Sequence, residues 1–173
     1  MHALVLTVLI VSGGLAACAS PGGARTAAGR ADVFTLVERG HYLVRIMDCA
    51  GCHTPGALGG RPDPARPLAG ADIGFGYPGG VVYAPNLTSD RETGLGEWTD
   101  AQIAAAVRQG VGRDKRALVP IMPWPSYSAL TPEDMAALIA YLRTVPAIRQ
   151  PTPRPVRAGE RPPTPYLTIV RPR

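Results

Sequence analysis

The pentapeptide Cys49-Ala50-Gly51-Cys52-His53 holds the residues of this chain best suited to chemistry. Two thiols set two residues apart, with an imidazole directly after the second, can add across the two vinyl groups of a haem and leave the imidazole beneath the iron. Cys49 and Cys52 are therefore the candidate attachment thiols, and His53 the candidate first axial ligand. With three Cys and three His among 173 residues, chance places this pattern in about one such chain in a thousand. The alternatives are a redox-active thiol pair, half of a zinc site, or a disulfide. A thioredoxin-like pair needs βαβ surroundings, which the flanking sequence lacks, and a structural zinc site needs two further ligands where only His41 is near.

A closed iron site needs a second axial ligand, and Met122 is the candidate. It stands in Leu118-Val119-Pro120-Ile121-Met122-Pro123-Trp124-Pro125, where Pro123 and Pro125 exclude a continuing helix and predict a stiff, extended loop. A thioether is a soft ligand for iron, and a His/Met pair raises the haem potential relative to two nitrogen ligands. Most methionines fill gaps in cores instead. Of the others here, Met1 opens the leader, Met47 lies just ahead of Cys49 and Met135 falls in an apolar helical stripe. Two alternatives stay open: His41 as a second imidazole, although eight helical residues hold it about 12 Å from Cys49, and a vacant or water-filled sixth position.

The length fits one domain. The formal charge is +5 with only 18% charged residues, and 20 Gly and 19 Pro are present, which predicts short elements joined by long, ordered loops. No nucleic-acid motif accompanies the basic balance, so no nucleic-acid partner is expected. Asp32 is a candidate N-cap for a first helix whose buried face is Val33, Leu36, Val37, Gly40, Leu43, Val44 and Met47, running straight into the Cys49 turn. Gly40 in mid-helix costs about 1 kcal/mol relative to Ala, which predicts a second helix crossing closely there. From Thr54 to Gly96 Gly and Pro recur without periodicity, and such a loop needs a surface to lie on, which haem supplies; Val81-Val82-Tyr83 is its one candidate strand. Thr99-Asp100-Ala101-Gln102 reads as a capping box, with Ile103, Ala106 and Val107 behind it. Thr131-Pro132-Glu133-Asp134 opens a last helix with stripe Met135, Leu138, Ile139, Leu142 and Val145, stopped by Pro146. Its small residues Ala136, Ala137 and Ala140 are the natural partners of Gly40. The expected fold is all-α, a small domain with crossed first and last helices and long loops around one haem.

At the N-terminus, residues 1–17 read as an export signal too short to span a membrane, although the usual positive n-region is missing. Leu15-Ala16-Ala17-Cys18 resembles the bacterial lipobox, so Cys18 is the candidate lipidation site. Cleavage after Ala17-Cys18-Ala19 and an uncleaved anchor are the alternatives. Residues 18–31 form a flexible tether, 32–146 the domain, and 147–173 a Pro- and Arg-rich tail expected to be extended or disordered, with one apolar knot at Tyr166–Val170.

The separated blocks Tyr42-Leu43, Cys49-Ala50-Gly51-Cys52-His53-Thr54, Asn86-Leu87-Thr88, Thr93-Gly94-Leu95-Gly96-Glu97-Trp98, Met122-Pro123-Trp124 and Ala140-Tyr141-Leu142 resemble class I cytochrome c domains. More narrowly, they are similar to the haem domains in cytochrome subunits of bacterial periplasmic dehydrogenases acting on alcohols, gluconate or aldehydes. The resemblance covers about residues 32 to 146. It implies one covalent haem c with its iron, His53 and Met122 as axial ligands, and single-electron transfer from a dehydrogenase towards a terminal oxidase or another cytochrome, without enzymatic activity of its own. It also implies the periplasm, anchored to a membrane through a lipid or soluble. Those subunits often carry three haem domains, and their Met-Pro-Tyr is Met-Pro-Trp here. Tyr83 and Trp98 are the candidate donors to a haem propionate, against ordinary core packing. Two rivals remain, a peroxidase-type haem enzyme and a haem-based gas sensor, and both need an open sixth position.

Overall fold

A computed structural model of the chain describes residues 35–170 and 172. The expected leader, Cys18, the tether and the Asp32 cap lie outside the described residues.

The first helix, α1, is helical over residues 35–46 and points Leu43 and Val44 into the core. It does not run unbroken into the cysteine turn. Asp48 takes a left-handed conformation, φ 51°, and a separate five-residue helix, α2, spans Cys49–His53. The expectation of one continuous helix is corrected at this point: the reversal at Asp48 re-aims the chain and sets the cysteine turn at an angle to α1.

Helix α3, Asp100–Gln109, begins at the capping box read from the sequence. Thr99 Oγ1 accepts from the Gln102 amide at 3.2 Å, and Gln102 Oε1 accepts from the Thr99 amide at 2.9 Å. A short helix, α4, spans Trp124–Tyr127. The stretch after Met122 is thus not simply extended. Pro125 falls in the first turn of α4, where a missing N–H costs nothing. Helix α5, Pro132–Thr144, is capped by Thr131 Oγ1, which accepts from the Asp134 amide at 3.1 Å.

α1 crosses α5 at Gly40. A Cβ on Gly40 would land on the Ala137 carbonyl oxygen and come within 2.6 Å of Tyr141 Cβ, so hydrogen is the only side chain the crossing admits. Two contacts lock it, the His41 ring stacked on Tyr141 with centroids 5.0 Å apart and Arg39 Nε at 2.8 Å from Asp134 Oδ1, and Ala137 beneath is fully buried. Leu43 and Val44 from α1, Ile103 and Val107 from α3, and Leu138 and Leu142 from α5 make the core, closed by Leu68 and Leu95 from the loops. The domain is predominantly helical with crossed terminal helices, as the periodicity predicts.

One layer is new. Strands β1, Gly74–Tyr77, and β2, Gly80–Val82, form an antiparallel hairpin. The tail adds β3, Val156–Arg157, antiparallel to β2, and β4, Tyr166–Leu167, parallel to β1, giving the order β3-β2-β1-β4. The tail is extended, and it is packed on the domain. Gly80, at φ 135°, has no room for a side chain because Val156 passes directly over it. No helix among the described residues is long and apolar enough to cross a membrane.

Candidate haem site

The reversal at Asp48 and the short helix α2 put Cys49, Cys52 and His53 on one turn, and backbone bonds hold that turn in place. The His53 carbonyl accepts from the Gly70 amide at 2.7 Å, and Thr54 Oγ1 accepts from the Leu68 amide at 3.0 Å. Leu68 sits in a left-handed conformation, φ 60°, a strain of about 1–3 kcal/mol for a bulky residue that its surroundings must overcome. Its carbonyl accepts from the Leu87 amide at 2.8 Å, so the loop after His53 and the loop carrying Asn86 are stitched into one wall.

His53 is buried, and its Nδ1 lies 2.7 Å from the Pro85 carbonyl oxygen. A carbonyl only accepts, so Nδ1 carries the proton and Nε2 keeps its lone pair for a metal. Burial also lowers the His53 pKa and keeps the ring neutral, as a ligand must be, although the Pro85 bond works in the other direction.

Both thiols are unpaired and half-buried. Burial pushes Cys49 up to about 11, and burial followed by the nearby Asp48 charge raises Cys52. Redox-active cysteines are activated by a lowered pKa, so these thiols have the opposite character. No group of three or more His, Cys, Asp or Glu is placed to hold a metal ion among the described residues. The zinc reading therefore lacks a ligand set there.

Met122 lies in the bend ahead of α4, packed against the hydrophobic core together with Met47, Cys49 and Tyr127. The link to the cysteine turn is Tyr127, whose hydroxyl donates to the Met47 carbonyl at 2.9 Å. Burial first, and then the neighbouring Cys49 and Cys52, push its phenol up to about 12. Nothing in the spacing of Tyr127 from Cys49 announces this particular contact in the sequence.

Among the described residues, three buried side-chain polar atoms have no partner: Tyr83 Oη, Trp124 Nε1 and Thr152 Oγ1. Tyr83 is the sequence candidate for a propionate, and its buried hydroxyl is a donor in need of an acceptor. Trp98 packs partly buried against the core while its carbonyl accepts from Arg143 Nη2 at 2.5 Å. The tryptophan with a buried, unpartnered indole N–H is Trp124, whose ring lies over Gly110 at the end of α3. His41 is engaged at the helix crossing, stacked on Tyr141 of α5. Two protonated thiols, one neutral imidazole with a free nitrogen, a thioether tied to the same turn and unpaired buried donors make a set that fits a covalently held haem.

A small helical domain with crossed terminal helices and a Cys-Ala-Gly-Cys-His turn between them is the architecture of a haem-carrying domain. The sequence profile of cytochrome c matches residues 37–146, and the chain belongs to the cytochrome c family, which implies a covalently attached haem iron. Among curated relatives, the cytochrome c subunit of a quinone alcohol dehydrogenase from Gluconacetobacter polyoxogenes is 40% identical over 121 residues, covering 69% of this chain and 24% of the relative. The gluconate 2-dehydrogenase cytochrome c subunit of Pantoea cypripedii is 42% identical over 106 residues, 61% of this chain and 22% of the relative. The fructose dehydrogenase cytochrome subunit of Gluconobacter japonicus is 38% identical over 119 residues, 68% of this chain and 23% of the relative. The chain spans about a quarter of the length of these relatives.

Proposed function

We propose that this chain is a single-haem electron carrier in which Cys49 and Cys52 would hold the haem covalently and His53 and Met122 would ligate its iron. The observation that carries the reading is the His53 Nδ1 to Pro85 bond beside two unpaired, protonated thiols on one turn. The bound group supplies an iron that cycles between ferrous and ferric states. The chain's own residues supply the rest. His53 is held in one tautomer and one orientation, the Tyr127 bond ties the Met122 loop to the attachment turn, and the core residues around them exclude water. Ligands held by the fold do not reorganise when the charge changes, and no side chain has to move a proton. Tyr83, with its buried unpartnered hydroxyl, is the donor to a haem carboxylate, and Trp98, packed against the helical core, is the second candidate.

The partners follow from the relatives, each a cytochrome subunit of a dehydrogenase. The donor is a periplasmic dehydrogenase oxidising an alcohol, sugar acid or similar small substrate, and the acceptor is an oxidase or a further cytochrome. The domain comprises residues 32–146, preceded by an export signal over 1–17, lipidation at Cys18 and a tether over 18–31, so that the carrier works in the bacterial periplasm at a membrane surface. The test is the absorption spectrum of the purified holoprotein. A weak far-red sulfur-to-iron band in the ferric form that vanishes in Met122→Ala supports the closed carrier. Its absence, with ready carbon monoxide binding to the reduced protein, marks an open site and replaces the carrier with catalysis or sensing.

A further inference from the structure

The tail meets the domain at the loop that serves His53. Asn86, which follows Pro85, is buried to 1% exposure and Thr88 to 0%, and both spend their side chains on the tail. Asn86 Nδ2 donates to the Ile148 carbonyl at 2.8 Å, and Thr88 Oγ1 accepts from the Ile148 amide at 3.2 Å. Thr93 Oγ1 joins the two sides, accepting from Asn86 Nδ2 at 3.0 Å and from the Gln150 amide at 3.0 Å. Gln150 Oε1 accepts from Arg66 Nη1 at 2.9 Å. Two residues on, the buried hydroxyl of Thr152 lies against Gly70, whose amide donates to the His53 carbonyl. The residues from Ala147 onward lie beyond the family match, which ends at 146.

We propose that residues 147–152 are a strap that positions the Pro85 carbonyl beneath His53, so that a segment outside the family domain sets the strength of the proximal hydrogen bond and through it the haem potential. The inference rests on the reading of His53 as the axial ligand. A carbonyl held firmly against Nδ1–H makes the imidazole a more basic ligand, which favours the ferric state and lowers the potential. Loosening the strap lets the Pro85 loop breathe, weakens that bond and raises the potential. Asn86 and Thr93 are positioning residues, because they touch the loop and the strap and act through His53.

The experiment compares full-length holoproteins. Thr93→Val removes the shared hydroxyl at nearly constant volume, and Gln150→Pro removes the strap's own N–H. Gln150→Ala keeps that N–H, and Leu138→Ala weakens the core without removing any of the strap's hydrogen bonds. The readouts are the midpoint potential and the exchange rate of the His53 Nδ1 proton by NMR in the ferrous protein. The strap predicts a positive shift in potential and about tenfold faster exchange in Thr93→Val and Gln150→Pro, a smaller shift in the same direction in Gln150→Ala, which loses only the Arg66 contact, and near wild-type values in Leu138→Ala. If Gln150→Pro does not fold, Thr93→Val decides. Unmoved potential and exchange in variants that merely melt earlier overturn the strap, as does an equal shift in Leu138→Ala. A wild-type protein without covalent haem overturns the axial reading and the strap together.

Discussion

The hydroxyl of Tyr127 donates to the backbone carbonyl of Met47 at 2.9 Å, across 80 residues of chain. That bond closes a ring, because Met47 precedes the cysteine turn and Tyr127 ends the short helix that follows Met122. The candidate sixth ligand is thus fastened to the candidate attachment turn by a group that touches neither sulfur of the turn covalently. Tyr127→Phe keeps the ring and loses the bond. The expected cost is about 1 kcal/mol, together with easier displacement of Met122. Chemical denaturation and imidazole titration of the ferric holoprotein measure the two effects.

Gly40 sits where α1 passes over α5, and the Ala137 carbonyl occupies the space a side chain would need. Even Gly40→Ala must push the helices apart. Overpacking of this kind costs about 1–3 kcal/mol, so Gly40→Ala is expected to melt markedly earlier and Gly40→Leu to fail to retain haem. Thermal melts and the yield of covalent haem check this.

Leu138 is the largest apolar side chain buried to 1% exposure. Leu138→Ala is expected to cost about 3 kcal/mol and to leave the haem spectrum unchanged, since the residue stabilises the frame and ligates nothing.

Tyr83 Oη is buried without a partner. If a haem carboxylate accepts from it, Tyr83→Phe destabilises the holoprotein by about 1.5–3 kcal/mol, whereas in the haem-free chain the loss of an unsatisfied hydroxyl is neutral or stabilising. Parallel melts of the two forms test for this opposite response; equal effects in both would assign Tyr83 to ordinary packing.

The acid limb of stability follows from the carboxylates. The Arg39 hydrogen bond holds Asp134 below the usual carboxylate range, and the Thr93 hydroxyl and amide do the same for Asp90. A depressed folded value means that the folded state prefers the ion. The contribution is present above the unfolded value of about 4 and is lost as pH falls through the folded values. Melting temperature is expected to drop below about pH 4, and Asp134→Asn to flatten part of that slope in a pH series of calorimetric scans.

Much of this molecule is legible in one dimension because its signals are local. The Cys49–His53 spacing, the Thr99 and Thr131 caps and the stripe from Met135 to Leu142 depend on neighbours within a few residues, and hydrogen bonding and helical period act at that range. Sequence alone therefore marked the first helix, α3, α5 and the candidate attachment turn, and the mid-helix Gly40 pointed to a close crossing. What it left open depends on contacts between distant segments. The break at Asp48, the Tyr127 bond to Met47, the choice of Pro85 as the acceptor for His53, the unpartnered nitrogen on Trp124 and the wrapping of the tail onto β1 and β2 were decided only by tertiary structure. A polar atom's partner, or a short strand's neighbour, is set by which loop packs beside it, and a Gly- and Pro-rich sequence without periodicity carries no local record of that.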